Sequence, residues 1–169
     1  MPAKSRQTIN YWWITASERN PKRRWRWQYF FDDPEQGYNW GGPKWIKSRA
    51  SFARIEDMCK GDIIVAYQAE EGVQGLAYLA SDGYQYIEDG NYDTFDLKSR
   101  PTIWLDEPIP LRIIRGLPNA KRDFEFLRML RGTVFRIHPK GFSELLKVVR
   151  ALNPIQRKAI SKFMGRNAA

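Results

Sequence analysis

Apolar residues fall along the chain in short runs separated by polar and turn-forming stretches, and the period within each run distinguishes strand from helix. Tyr11-Trp12-Trp13-Ile14-Thr15 is β-branched and aromatic and predicts a first strand that stops at Ser17-Glu18-Arg19-Asn20-Pro21. For residues 21–49, where basic residues interleave with tryptophans before Asn39-Trp40-Gly41-Gly42-Pro43, the pattern leaves regular structure open. Ser51 to Met58 suits a short helix turning Phe52, Ile55 and Met58 inward, with Gly61 ending the approach to the next strand. Asp62 to Tyr67 and Val73 to Leu79 predict a hairpin about Glu70-Glu71-Gly72. Ser81 to Asp96, acidic and rich in turn formers, reads as a long loop carrying Tyr84, Tyr86 and Tyr92. Ile103-Trp104-Leu105 and Ile109 to Ile113 read as two further strands, the second at a sheet edge because Pro110 has no N–H for a ladder. A helix is expected over Asp123 to Leu130, stopped by Gly132, then a strand over Thr133 to Ile137 and an amphipathic helix over Ser143 to Leu152. Asn153 is placed as the cap of a last helix, with Pro154 in its first turn and Gly165 beyond its end. No internal repeat or low-complexity stretch occurs. Strands interrupted by helices point to a small α+β barrel, not to a doubly wound sheet.

Length and charge narrow the picture. The 169 residues suit one domain, with a core over 10–150 and a C-terminal helix over 153–169, and 43% hydrophobic content suffices for an independent fold. No run approaches the roughly 20 apolar residues of a membrane span, and no secretory pattern follows Met1, so the expected location is the cytoplasm with no membrane partner. Cys59 and His138 are each the sole residue of their type, which removes an internal disulfide and a thiolate zinc cluster. Ser/His or Cys/His catalysis would require a nucleophile placed beside that one imidazole. The carboxylates Asp82, Glu88, Asp89, Asp93 and Asp96 lack calcium-loop spacing, and no dinucleotide or phosphate-binding glycine motif occurs, so no metal or cofactor is expected. The net charge of +9 is divided by region: residues 1–50 carry 10 basic and 4 acidic groups, 51–110 carry 4 and 12, and 111–169 carry 14 and 3. Two basic ends folded side by side would form the positive face of a polyanion binder.

The tryptophans sharpen that expectation. Six of the seven, Trp12, Trp13, Trp25, Trp27, Trp40 and Trp45, lie in the first 45 residues. A core uses indole sparingly because its N–H needs a partner, whereas base stacking benefits from it at about 1–3 kcal/mol per base. Trp12 and Trp13 are adjacent in a strand and point to opposite faces, so one belongs to the core. Trp13, Trp25, Trp27, Trp40 and Trp45 are therefore candidates for base binding. Arg23, Arg24, Arg26, Lys44, Lys47 and Arg49 interleave with these rings as candidate phosphate contacts, and Ser17, Asn39 and Gln74 are candidates for reading base edges.

Several of these segments resemble the EVE domains of the PUA-like superfamily, relatives of the YTH and ASCH domains. Tyr11-Trp12-Trp13-Ile14-Thr15-Ala16-Ser17-Glu18 is similar to the family's opening strand, with Arg19 where proline is usual, and Asn39-Trp40-Gly41 to its Trp-x-Gly element. Met58-Cys59-Lys60-Gly61-Asp62, continuing to Tyr67, resembles the Met-x-x-Gly-Asp strand. Gly72 to Ala77 and Leu130 to Ile137 resemble two later strands. The resemblance implies a PUA-like small mixed β-barrel flanked by short helices, binding a modified, methylated base of DNA or RNA in an aromatic cage without catalysis. It implies Ser17 as a pocket hydrogen-bonder, Trp40 or Trp45 as a cage wall, and Tyr67 beside the base; an effector protein as second partner is left open. Gly42-Pro43-Lys44-Trp45-Ile46-Lys47-Ser48-Arg49 is similar instead to the signature of ASCH domains, some of which are small hydrolases or nucleases acting on RNA or nucleosides. Lys47 stands where that family has its acid, which removes the expected proton-transfer group.

Overall fold

The computed structural model describes residues 8–19, 24, 26–32, 39–43, 57–82, 86–88, 91–96, 101–129 and 132–165. Its eight strands are β1 (Tyr11–Ala16), β2 (Asn39–Pro43), β3 (Ile63–Gln68), β4 (Gly72–Tyr78), β5 (Tyr86–Glu88), β6 (Asn91–Asp96), β7 (Thr102–Ile109) and β8 (Val134–Ile137). Among the described residues five helices accompany them: α1 (Trp27–Asp32), α2 (Leu111–Arg115), α3 (Ala120–Asp123), α4 (Pro139–Leu152) and α5 (Arg157–Gly165). A five-stranded sheet has the order β7-β4-β3-β1-β8, and β2-β6-β5 form a second sheet. β1 runs parallel to β3, and the other pairings are antiparallel.

Both faces of the larger sheet are covered at its inner strands β1, β3 and β4, which are therefore buried without strict alternation, whereas the edge strand β7 alternates. On one face Trp13, Val65, Leu76 and Phe135 meet Leu145 and Val149 of α4 and Ile160 and Phe163 of α5. On the other, Trp12, Ile14, Ile64 and Ala77 pack with Trp27 and Phe30 of α1. Neighbouring indoles of β1 thus enter different halves of the core, and neither is left to solvent. Tyr78 ties α5 down, its hydroxyl donating to Phe163 O at 2.8 Å.

Burying Trp12 requires a partner for its N–H, and Asp62 supplies one. Trp12 Nε1 donates to Asp62 Oδ2 at 2.8 Å, and the same carboxylate accepts from Cys59 N at 3.0 Å and Asn10 N at 3.0 Å. The Gly-Asp pair of the sequence therefore serves as a polar rivet between β1 and the entry to β3, with Gly61 at φ +90° making the turn.

The edge strand β7 is closed from outside by two amides. Asn153 Oδ1 accepts from Glu107 N at 2.7 Å while its Nδ2 donates to Glu107 O, and Gln156 bonds both Asp106 N and Trp104 O.

Five sequence expectations change. Helix α1 and strand β2 lie within residues 21–49, where the sequence pattern leaves regular structure open. Residues 86–88 and 91–96 are paired strands within the stretch read as a loop. Ile103 to Leu105 belong to one long strand reaching Ile109, and Leu111–Arg115 is helical, because Pro110 ends the strand and leads into α2. The helix expected over Asp123 to Leu130 is α3, ending at Asp123, followed by a 3-10 turn over Glu125–Leu127, with Phe124 bridging to Ile137. Asn153 closes α4 rather than opening the next helix, and α4 starts at Pro139 behind His138. Most of the helix expected over 51–58 lies outside the described residues. No described helix is long and apolar enough to cross a membrane.

One buried carboxyl is expected to lend the fold an acid response. Arg122 Nε donates to Asp123 Oδ1 at 2.7 Å. This bond outweighs the opposing effect of burial and, helped by the charges of His138 and Lys140, holds the Asp123 carboxyl below its ordinary value. The folded state thus binds that proton less readily than the unfolded chain. Its stabilisation is complete above the ordinary aspartate value of about 3.9 and is lost as pH falls through the lower folded value. Asp123→Asn is expected to flatten the acid limb of thermal midpoint against pH; an unchanged limb would exclude Asp123 from the acid response.

Candidate functional site

The parallel pair β1 and β3 ends in register, with Thr15 opposite Tyr67 and Ala16 opposite Gln68. Parallel strands finish at the same border of a sheet, so the segments that follow, Ser17–Arg19 and Ala69–Glu71, emerge side by side. Ala69 N donates to Ala16 O at 2.9 Å and locks them together. The second segment must then reverse into β4. Glu70 adopts φ +72° and Gly72 φ +111°, and a side chain at Gly72 would place its Cβ 2.5 Å from Ile109 O. Glycine is required there both by the backbone angle and by the approach of β7.

The result is a concavity of about 410 Å³ lined by Arg19, Tyr67, Glu70, Gly72, Pro110 and Leu111, among others. A second hollow of about 270 Å³ shares Arg19 and Glu70 and adds Ser17, Glu18 and Gln68. Tyr67 is the aromatic ring on the larger wall, half-buried and held from behind. It stacks on Trp13 at 4.6 Å between centroids, and Trp13 stacks on Phe126 at 4.1 Å. Trp13 satisfies its own N–H through Thr15 Oγ1 at 3.1 Å.

Charge at the rim is organised by ion pairs. Arg26 bridges Glu18 and Glu71, each at 2.7 Å, and Arg19 pairs with Glu70. Hydrogen bonding to these glutamates holds both guanidinium groups further toward the charged form than in a free arginine. Ser17 Oγ accepts from Arg19 N at 3.2 Å, which fixes the turn after β1.

The sequence candidates separate accordingly. Ser17 and Tyr67 line the hollows. Trp13 is 1% exposed and reaches the site only as the support beneath Tyr67. Trp27 is corrected outright: it is fully buried, and its N–H is consumed by Ile14 O at 3.3 Å, so no face is free for a base. Gln74 is likewise corrected, being buried within β4 and lining neither hollow. Arg26, a candidate phosphate contact, pairs with two carboxylates of the rim. Arg24 is exposed. Asn39 and Trp40 lie in β2 of the smaller sheet. Trp25, Arg23, Lys44, Trp45, Lys47 and Arg49 lie outside the described residues, and with them most of the ASCH-like segment. Arg19, Gln68, Glu70 and Glu71 join the site unannounced. Arg19, Glu70 and Glu71 were marked only by membership of two turns and Gln68 only by its place at a strand end, and nothing in the sequence showed that the strands before those turns are parallel neighbours. Among the described residues no group of three or more His, Cys, Asp and Glu is placed to hold a metal ion.

The mixed five-stranded sheet, its helical cover and the hollow at the β1/β3 border define an α+β fold of the PUA-like type. No family model matches the sequence, and no curated protein matches it either. Solved structures share the fold. Human THYN1, in complex with DNA containing 5-methylcytosine, superposes with a TM-score of 0.67 at 14% identity, covering 83% of this chain and 97% of that one. The DUF55 domain of human thymocyte nuclear protein 1 gives 0.66 at 14%, over 83% and 98%. Rpa0253 from Rhodopseudomonas palustris gives 0.64 at 18%, over 87% and 94%. At these identities the likeness is one of fold.

Proposed function

We propose that this chain is a non-catalytic, EVE-type nucleic-acid reader that accepts a single modified base in the hollow at the β1/β3 border. The observation that carries the reading is Tyr67, a partly exposed ring on the wall of a concavity large enough for a base and braced by Trp13 and Phe126. A ring so supported is pre-organised for stacking, because its orientation is set before the ligand arrives. Ser17, on the adjoining smaller hollow, is the proposed hydrogen-bonding group, and the resemblance assigns the role of cage wall to Trp40 or Trp45. The fold shared with human THYN1, a protein solved with 5-methylcytosine-containing DNA, supports the same assignment. Recognition is favoured over catalysis because Glu18, Glu70 and Glu71 are each hydrogen-bonded to an arginine. Such pairing gives the rim its shape and leaves none of these three carboxylates poised for proton transfer.

Fluorescence anisotropy with short DNA duplexes, identical except for one 5-methylcytosine, tests this directly. The modified duplex should bind more tightly. Tyr67→Ala should remove about 1–3 kcal/mol of the stacking contribution, and Tyr67→Phe should retain most of it. Equal affinity of the unaltered protein for plain and modified duplexes, across a panel of base modifications, would defeat the proposal.

A further inference from the structure

The rim of the hollow is an unfavourable place for a phosphate, since Glu18, Glu70 and Glu71 crowd it and their arginine partners are already engaged. A polyanion that delivers a base there must keep its backbone elsewhere. We infer that the surface of α2 and α3, which begins at the wall of the hollow, carries the phosphodiester backbone through Arg112, Arg115 and Lys121; this rests on the nucleic-acid reading above.

The placement follows from continuity of the chain. Pro110 and Leu111 line the larger hollow, and Leu111 is the first residue of α2. Arg115 follows Leu111 at i+4 and so stands on the same side of the helix, roughly 6 Å further along its axis. Arg112 is its i,i+3 neighbour on the surface. Asn119, at φ +56°, turns the chain directly into α3, where Lys121 and Arg122 are exposed. Beneath these cations Ile114, Ala120 and Phe124 are buried in the core, so the platform is anchored rather than free to drift.

Availability of charge distinguishes this surface from the arginines of the rim. Arg112, Arg115 and Lys121 are exposed and form no ion pair among the described residues. The nearby acids are spoken for: Asp123 pairs with Arg122, and Glu125 accepts from Arg136 N at 2.8 Å. With 14 basic and 3 acidic residues over 111–169, the C-terminal region also supplies a favourable long-range field. Acidic mouth and cationic shoulder together favour one mode of entry, in which the base enters the hollow while its phosphates remain outside on α2 and α3.

The test uses the full chain and measures affinity against salt for plain and 5-methylcytosine duplexes and for a single-stranded RNA of the same sequence. Arg112→Gln/Arg115→Gln should weaken binding to plain and modified duplexes alike, by about tenfold, and make the logarithmic salt slope shallower by about 1.8, or about 0.9 for each phosphate no longer neutralised. The ratio between modified and plain DNA should not change. Lys158→Gln/Lys162→Gln, which removes the same charge from α5, should have a clearly smaller effect. An unchanged slope in the α2 variant, an equal loss in the α5 variant, or no binding of DNA or RNA by the unaltered protein would overturn the assignment. The RNA arm shows whether the shoulder serves ribose or deoxyribose backbones. Weakened binding in the α2 variant without any preference for the modified base would uphold the shoulder and refute the base-reading hollow; the converse would do the reverse.

Discussion

Trp27→Ala is expected to lower the unfolding free energy by about 3–5 kcal/mol, the range for removing a large aromatic from a packed interior. The indole is fully buried, meets Phe30 edge-on at 6.1 Å, and its N–H reaches across to Ile14 O. Truncation leaves a cavity under α1 and a backbone carbonyl of β1 without that donor. The consequence should register as a fall in the urea midpoint, while the fraction still folded keeps its preference for the modified base. Loss of that preference at an unchanged midpoint would return Trp27 to the binding site and would mean that α1 is displaced from the sheet in solution.

A comparable loss is expected for Asp62→Ala, about 3–5 kcal/mol, because a charged acceptor serving several donors is removed at once. The indole N–H of Trp12 and the amide of Cys59 would be stranded inside the protein. Urea unfolding of Asp62→Ala and Asp62→Asn together separates the causes. The asparagine retains one oxygen and should recover part of the loss, whereas equal, small effects would show that water replaces the carboxylate and that the rivet is dispensable.

Those two residues also mark where the sequence was legible and where it was not. Asp62 was recognisable because Gly61-Asp62 precedes an apolar run, and that run together with β1, β4 and β8 became strands within about a residue of expectation. Trp27 was misplaced because a basic neighbourhood suggests a surface, while the partner that lets an indole be buried, a carbonyl of β1, is invisible to any local pattern. The stretch 91–96 hid its strand behind two aspartates, although Tyr92, Thr94 and Phe95 favour extended structure. At Leu111 the error ran the other way, since a short apolar run fits strand or helix equally well and only Pro110 hinted at the break. The candidate site was half legible: Tyr67 and Ser17 follow from family-like strand ends, but the arginine and glutamate rim arises from parallel pairing of segments some fifty positions apart.

The amides that occupy the outer rim of β7 have an effect beyond local bonding. A terminal strand with unused N–H and C=O groups is a template on which a foreign strand can grow. Here the short turn between the last two helices fills those positions with Asn153 and Gln156, so docking of the C-terminal helices and protection against strand-by-strand self-association are one and the same event.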